Sequence, residues 1–201
     1  MGVSLQKGQR VDLSKDGQSI SKLMVGLGWD PVQQSSKGLF GGVFGKSNAN
    51  IDCDASVLML GDNDKLLSKE YVVYYGNKKS SCGSVTHSGD NLTGAGEGDD
   101  ETIMVELDKV PSNIHKLVFV VNIYDCVNRR QDFGMIQNAY IRIVNMSGNQ
   151  ELIKYSLTES YSGKTALLTG EIYRHGNGWK FAAIGEGTTD ASLGDIVKKY
   201  Y

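Results

Sequence analysis

The most apolar stretch of the chain is Lys116-Leu117-Val118-Phe119-Val120-Val121-Asn122-Ile123-Tyr124. A short, continuous apolar run of this kind predicts a central β-strand that is buried on both faces. On either side of it, short runs of alternating apolar and polar residues recur, and turns separate them. The 25 glycines and only 2 prolines agree with many tight turns. The pattern predicts an all-β fold, a β-sandwich of two mainly antiparallel sheets.

Both ends of the chain carry local structural signals. Segments 3–6 and 10–13 alternate around a short polar turn, which predicts an opening hairpin. Near the other end, segments 166–174 and 179–184 flank a glycine-rich turn and predict a second hairpin. The last residues then place apolar side chains at helical spacing after Ser192, a candidate N-cap. We therefore expect a short C-terminal helix.

The composition is that of an ordinary soluble globular protein. The 201 residues are 40% hydrophobic, and their formal net charge of -2 argues against nucleic acid as a main partner. No apolar run is long enough to span a membrane, and no signal peptide opens the chain. Three cysteines, Cys53, Cys82 and Cys126, occur without a CxxC spacing, which favours the cytoplasm. We expect a single domain over residues 1–201, with a mobile Gly/Phe-rich loop at about 32–50 that is a linker, a flap or a small patch that contacts a membrane or a partner.

Negative charge is concentrated in one stretch, Ser88-Gly89-Asp90-Asn91-Leu92-Thr93-Gly94-Ala95-Gly96-Glu97-Gly98-Asp99-Asp100-Glu101. The window from Ser80 to Asp108 holds seven acids and no Lys or Arg. Because closely packed carboxylates raise each other's pKa values, the simplest partner is a cation. Ca²⁺ accepts about six to eight oxygen ligands in irregular geometry, and glycines let backbone carbonyls converge on it. A solvated acidic loop is the alternative interpretation.

The acidic stretch does not follow the EF-hand pattern. Asp90 and Glu101 fit the first and last positions of such a loop. However, Leu92 and Gly94 occupy two ligand positions, and Ala95 replaces the required glycine. If the stretch binds Ca²⁺, ligands from elsewhere in the chain are therefore expected.

A second acidic pair lies at the entrance of the predicted strand 51–60. Asp52 and Asp54 have the same parity, so both side chains point to one face of the strand. Two carboxylates at this place are costly unless they are exposed or coordinated. The sequence leaves both possibilities open for this pair.

Motifs along nearly the whole chain occur in a distinctive order. They are the opening Val3 to Leu13, Val25-Gly26-Leu27-Gly28-Trp29-Asp30, Asp52-Cys53-Asp54-Ala55-Ser56, Gly89-Asp90-Asn91-Leu92-Thr93-Gly94, Gly98-Asp99-Asp100-Glu101, Asn138-Ala139-Tyr140-Ile141-Arg142, Gly170-Glu171-Ile172-Tyr173-Arg174-His175 and Trp179-Lys180-Phe181. Together they resemble the TerD family of tellurite-resistance and general stress proteins. The segment 33–50 departs from the commoner family pattern, because it is longer and richer in Gly and Phe.

The resemblance implies a β-sandwich that binds Ca²⁺ through acidic loops, in a bacterial cytoplasmic stress protein without established enzymatic activity. It also implies complexes with protein partners, such as other stress or tellurite-resistance proteins. Seven side chains are too many ligands for one ion, so two Ca²⁺ ions are expected. The implied side-chain ligands are Asp52, Asp54, Asp90, Glu97, Asp99, Asp100 and Glu101, with oxygens of Asn91, Thr93 and Gly98 as additions and Asp30 as a weaker candidate.

Other functions stay open beside this one. Clustered carboxylates can hold two metals in a phosphoester hydrolase, with His87 as a candidate base, although no hydrolase motif is present. Because some relatives are described as cyclic-AMP binders, a cyclic-nucleotide-binding protein is a second alternative. A thiol role for the cysteines in handling tellurite or oxidants is a third. We predict that the protein is not an enzyme.

Overall fold

The computed structural model describes residues 2–15, 18–32, 51–89 and 98–201. Apart from Val32, the loop predicted to be mobile lies outside the described residues, as do Asp90, Asn91, Thr93 and Glu97. In chain order, the strands and helices of the described residues are β1 (Val3–Leu5), β2 (Arg10–Asp12), β3 (Ser14–Lys15), β4 (Gln18–Ser19), β5 (Lys22–Pro31), β6 (Cys53–Leu60), β7 (Val72–Val73), β8 (Val85–His87), β9 (Glu101–Glu106), β10 (Lys116–Ile123), α1 (Cys126–Arg129), β11 (Ile136–Asn145), β12 (Gln150–Ser156), β13 (Ala166–His175), β14 (Gly178–Thr188) and α2 (Leu193–Lys198). Short 3₁₀ turns occupy Asp62–Asp64, Lys69–Tyr71, Leu107–Lys109 and Phe133–Met135.

Two six-stranded sheets form the sandwich. The first sheet has the strand order β1-β12-β11-β5-β9-β8, and the second sheet has the order β2-β14-β13-β10-β6-β7. Most neighbouring strands are antiparallel, whereas β1 runs parallel to β12. The prediction of an all-β sandwich with a short C-terminal helix is confirmed.

Strand β10 is covered on both of its faces. Leu117 and Phe119 point into the main core between the two sheets. Val118 and Val120 point to the outer face of the second sheet, where they pack in a smaller apolar cluster with Ile196 of α2. The apolar run of β10 is therefore continuous because apolar side chains cover both faces of the strand, as the sequence predicted.

The predicted opening hairpin is wrong. β1 pairs with β12 in the first sheet, whereas β2 pairs with β14 in the second sheet. The turn between them carries the chain from one sheet to the other, and the Gly8 N–H donates to the Ala183 carbonyl oxygen at 2.7 Å. Alternation specifies which face of a strand is buried, but it does not specify the neighbour with which that strand pairs.

The two predictions near the C-terminus are confirmed. β13 and β14 form a hairpin in which His175 lies opposite Gly178. Helix α2 begins after Ser192, whose hydroxyl accepts a hydrogen bond from the Asp195 N–H at 3.2 Å.

Among the described residues, no helix has the length and apolarity needed to cross a membrane.

Candidate metal centre

Three chain segments bring predicted ligands to one end of the sandwich. β5 ends where β9 begins, because the two strands are antiparallel and Leu27 lies opposite Glu101. β6 of the second sheet begins at the same end, since the Ala55 N–H donates to Glu101 Oε2 at 2.6 Å. The predicted ligands carried by these segments are Asp30 at the end of β5, Asp52 and Asp54 at the start of β6, and Gly98, Asp99, Asp100 and Glu101 at the start of β9.

Glu101 and His87 of the first sheet form a buried polar contact that faces Ala55 of the second sheet. The side chains of both residues are fully buried, and Glu101 Oε2 lies 3.3 Å from His87 Nε2. The Gly89 N–H donates to His87 Nδ1 at 3.1 Å, so Nδ1 carries no proton. The proton is therefore on Nε2, which lies 3.1 Å from the Ala55 carbonyl oxygen and near the carboxylate. His87 is a hydrogen-bonded histidine of the interior.

The backbone of Ala55 explains why these side chains are needed. β7 pairs with β6 only at Val57 and Leu58, so the outer edge of β6 has no ladder partner from β7 at Ala55. The Glu101 carboxylate and the His87 ring take the place of that missing strand, because they bind the N–H and the C=O of Ala55. Buried backbone groups require such partners. Glu101 thus has a structural role that the sequence did not reveal.

Asp99 is neutralised by an arginine. Arg142 Nε donates to Asp99 Oδ1 at 2.7 Å, and a second guanidinium nitrogen donates to Oδ2 at 2.8 Å. The Tyr140 hydroxyl lies 3.0 Å from Oδ1 and donates to the Gly98 carbonyl oxygen at 2.7 Å. These hydrogen bonds raise the pKa of Arg142, and burial together with the Asp99 carboxylate raises the pKa of Tyr140. A Cβ at Gly26 would overlap the Asp99 carboxylate, so this contact needs glycine there.

Asp100 lies in a different environment from its neighbour. Its Oδ2 accepts a hydrogen bond from the Trp29 N–H at 2.8 Å, and its own N–H donates to the Leu27 carbonyl oxygen at 2.8 Å. Burial raises the pKa of the Asp100 carboxyl, and the nearby carboxylates of Asp30 and Asp99 raise it further, against the hydrogen bond from Trp29. The site therefore resists the ionised form of Asp100, which a bound cation would favour.

Asp52 and Asp54 are both buried at the entrance of β6. Asp52 Oδ2 lies 3.6 Å from a guanidinium nitrogen of Arg129, the last residue of the helical turn α1. Asp54 has the same parity as Ser56, and both line a cavity on the outer face of the second sheet. Asp30 accepts a hydrogen bond from the Asn138 side-chain amide at 2.8 Å.

The donor set is chemically suited to a hard cation. Carboxylate and carbonyl oxygens are the ligands that Ca²⁺ prefers. In the ranges that the structure describes, no three His, Cys, Asp or Glu side chains converge closely enough to hold a metal ion. Asp90 and Glu97 lie outside those ranges. The described carboxylates do not form a metal site by themselves, and a cation at this end of the sandwich would need further oxygens.

Sequence reasoning missed the partners of the acids. Tyr140 and Arg142 were recognised only as part of a motif, although their equal parity places both on one face of β11. That shared face, together with the surplus of acids elsewhere in the chain, was the sequence signal for a contact between Arg142 and an acid. The role of Ala55 had no sequence signal, because it depends on where β7 stops pairing with β6.

Comparison with known proteins places the chain among stress and tellurium-resistance proteins. The sequence profile of the TerD domain matches residues 1–200. The chain is 62% identical to stress response protein SCP2 of Bacillus subtilis (strain 168), with 100% of both chains covered. It is 46% identical to tellurium resistance protein TerD of Serratia marcescens, with 93% of this chain and 91% of that protein covered. The solved structure of a homologue of telluride resistance protein (TerD) from Streptomyces coelicolor A3(2) has the same fold, with a TM-score of 0.63, 21% identity, and 88% of this chain and 98% of that chain covered. The chain therefore belongs to the TerD family.

Proposed function

We propose that this protein is a calcium-binding, non-enzymatic stress-response protein of the tellurite-resistance type. Its relatives carry the names of stress response and tellurium resistance proteins, which supports the general role. The observation that carries the calcium proposal is that β5, β6 and β9 carry acids at one end of the sandwich, where neighbouring carboxylates help to raise the pKa of Asp100. A divalent cation removes the repulsion among them.

The contacts of the described acids divide the predicted ligands into two groups. Asp99 and Glu101 act as anchors in this proposal, because Arg142 binds both oxygens of Asp99 and the Glu101 side chain is fully buried against the Ala55 N–H. Asp52, Asp54 and Asp100 are metal ligands. Further oxygens come from Asp90, Asn91, Thr93 and Glu97, with Gly98 and Asp30 at the margin of the site.

Two Ca²⁺ ions are proposed for charge balance. With Asp99 and Glu101 set aside, the carboxylates of Asp52, Asp54, Asp90, Glu97 and Asp100 remain. Two divalent ions nearly balance these charges, whereas one ion leaves a large negative surplus. A calorimetric stoichiometry of one Ca²⁺ per chain would contradict the two-ion proposal.

Bound calcium would join the start of β6 to the acidic stretch, so the protein works as a structural or interaction module. We propose that its partners are other stress or tellurite-resistance proteins and that it acts in the cytoplasm. All three cysteines are free, which agrees with a reducing compartment. A pull-down with Ca²⁺ and a second one with a chelator test whether a partner binds only the calcium-loaded form.

The position of His87 supports a non-enzymatic role. As the base of a phosphoester hydrolase, His87 would need access to substrate. It is 2% exposed, and both of its ring nitrogens lie within hydrogen-bond distance of protein atoms. Phosphoester hydrolysis that disappears in a folded Asp100→Ala variant would contradict the proposal.

The first experiment measures calcium-dependent stability. Mass action predicts that Ca²⁺ raises the free energy of unfolding by about 2.7 kcal/mol at a concentration a hundredfold above its Kd. We expect Asp100→Asn to lose most of this gain, while Asp108→Asn, an exposed acid beyond the other end of β9, keeps it. Mg²⁺ should stabilise less, because it demands octahedral geometry and keeps its waters. An unchanged melting temperature at millimolar Ca²⁺ would remove the calcium proposal.

A further inference from the structure

Asn122 is a polar residue in an otherwise apolar part of β10. Every other residue of the run 117–123 is apolar. Val118 and Val120, which share the outer face of the strand with Asn122, pack in the apolar cluster beside α2. The side chain of Asn122 is only 5% exposed. Because a buried amide costs free energy unless its polar atoms are bound, an asparagine at this place indicates a specific partner.

The amide oxygen of Asn122 receives no hydrogen bond from the protein. Asn122 Oδ1 is closed to solvent, and within the part of the chain that the structure describes it has no hydrogen-bond partner. Asn145 is also buried, but its Oδ1 accepts a hydrogen bond from the Ser147 N–H at 3.0 Å. Buried acceptors are usually satisfied, because leaving one unpaired is costly. Asn122 Oδ1 is therefore an oxygen that is available to a ligand.

Two proposed calcium ligands lie on the same face of the second sheet as Asn122. Asp54 is directly opposite Asn122 in the register between β6 and β10, so the two side chains leave the sheet side by side. Asp52 has the same parity as Asp54 and is buried as well. A guanidinium nitrogen of Arg129 lies 3.6 Å from Asp52 Oδ2. The available amide oxygen therefore neighbours Asp54 more directly than Asp52.

The closed position of Asn122 Oδ1 selects the kind of ligand. A hydrogen-bond donor such as water or an amine places its heavy atom about 2.7 to 3.2 Å from the acceptor, so it needs an open approach. A calcium ion lies only about 2.3 to 2.6 Å from its oxygens and therefore fits between side chains that exclude water. Asparagine oxygens are among the ligands of Ca²⁺, and a neutral amide adds no repulsion to nearby carboxylates.

We propose that Asn122 Oδ1 is a further ligand of a calcium ion that binds at Asp54. This inference rests on the proposed calcium function and extends the ligand set to β10, which contributes no acid to it. Asn122 supplies one of the further oxygens that the described carboxylates need. The ion also binds the buried oxygen that no protein donor reaches, and it connects the end of β10 to the start of β6.

The test compares Asn122→Leu with Asn145→Leu, a matched change at a buried asparagine whose oxygen is already bound. In a chelator, Asn122→Leu should melt at or above the wild-type temperature, because it removes a buried unpaired acceptor. Asn145→Leu should melt lower, because the Ser147 N–H loses its acceptor. In calorimetric titrations with Ca²⁺, Asn122→Leu should bind about tenfold more weakly than the wild-type protein, whereas Asn145→Leu should keep the wild-type affinity.

A third variant, Asn122→Asp, separates a calcium ligand from a residue that only supports the fold. It keeps an oxygen at this position, so it should bind Ca²⁺ at least as tightly as the wild-type protein. Without Ca²⁺ it should melt lower, because two carboxylates then face each other across β6 and β10.

Wild-type calcium affinity in folded Asn122→Leu would overturn the assignment of Asn122 and leave the calcium function intact. Binding by Asn122→Asp that is as weak as that of Asn122→Leu would also overturn it, because the oxygen would then not restore the site. If the wild-type protein binds no Ca²⁺, both the assignment and the calcium function are wrong.

Discussion

Asp99, Asp100 and Glu101 are consecutive in the chain, yet they lie in three different environments. Asp99 is held by Arg142 through two hydrogen bonds. Glu101 is fully buried between the sheets and bound by the Ala55 N–H. Asp100 accepts from the Trp29 N–H and has a raised pKa, which burial and neighbouring carboxylates cause.

The comparison teaches that an acidic cluster is not one electrostatic unit. An arginine neutralises the first acid, and backbone and imidazole groups satisfy the third. For Asp100 the structure describes a hydrogen bond from Trp29 together with repulsion from neighbouring carboxylates, which would favour its ionised form less than at the other two acids. Substitutions at the three positions should therefore differ in size and in the sign of their effect.

The largest effect is expected at Glu101. Glu101→Ala leaves the Ala55 N–H and His87 without their buried partner, so the free energy of unfolding should fall by about 3 to 5 kcal/mol. Urea denaturation measures this loss. Glu106→Ala on the same strand is the control, because its ion pair with Lys109 lies at the surface and should contribute much less to stability. Similar losses in the two variants would show that the buried contact contributes no more to stability than the surface ion pair.

An intermediate effect is expected at the Asp99 contact. Arg142→Met removes two charge-assisted hydrogen bonds to Asp99 and a third to Glu151, and it should cost about 2 kcal/mol in the free energy of unfolding. Lys180→Met is the control, since its ion pair with Asp12 is longer, at 3.6 Å. In a double-mutant cycle, Asp99→Asn combined with Arg142→Met should cost less than the sum of the single losses. Additive losses would contradict a direct pairing.

The smallest effect, with the opposite sign, is expected at Asp100 without calcium. Because folding raises the pKa of this carboxyl, its contribution to stability is present at low pH and is lost as pH rises from the unfolded pKa through the folded pKa. Asp100→Asn should therefore melt higher than the wild-type protein above that range, by the equivalent of about 1 kcal/mol or less, and the difference should vanish near pH 3. If the melting temperatures of the wild-type protein and the variant differ by the same amount from acid to neutral pH, folding does not raise the pKa of Asp100.

Much of the fold could be predicted because it depends on periodicity. The apolar run of β10, the β13–β14 hairpin and the Ser192 cap are all local signals, and each is confirmed. The opening hairpin was wrong because the pairing of a short strand depends on distant chain segments. The same limit applies to the acids, since the sequence identified them by type and could not show that Arg142 binds Asp99.

The way in which Glu101 and His87 close the edge of β6 has a consequence for solubility. An open strand edge offers unpaired N–H and C=O groups to any other polypeptide, and this is how sheets aggregate. At Ala55 those groups are bound by side chains from the opposite sheet of the same molecule. A foreign strand must therefore displace a buried carboxylate and an imidazole before it can extend the sheet there, which protects the chain from intermolecular β-pairing at this edge.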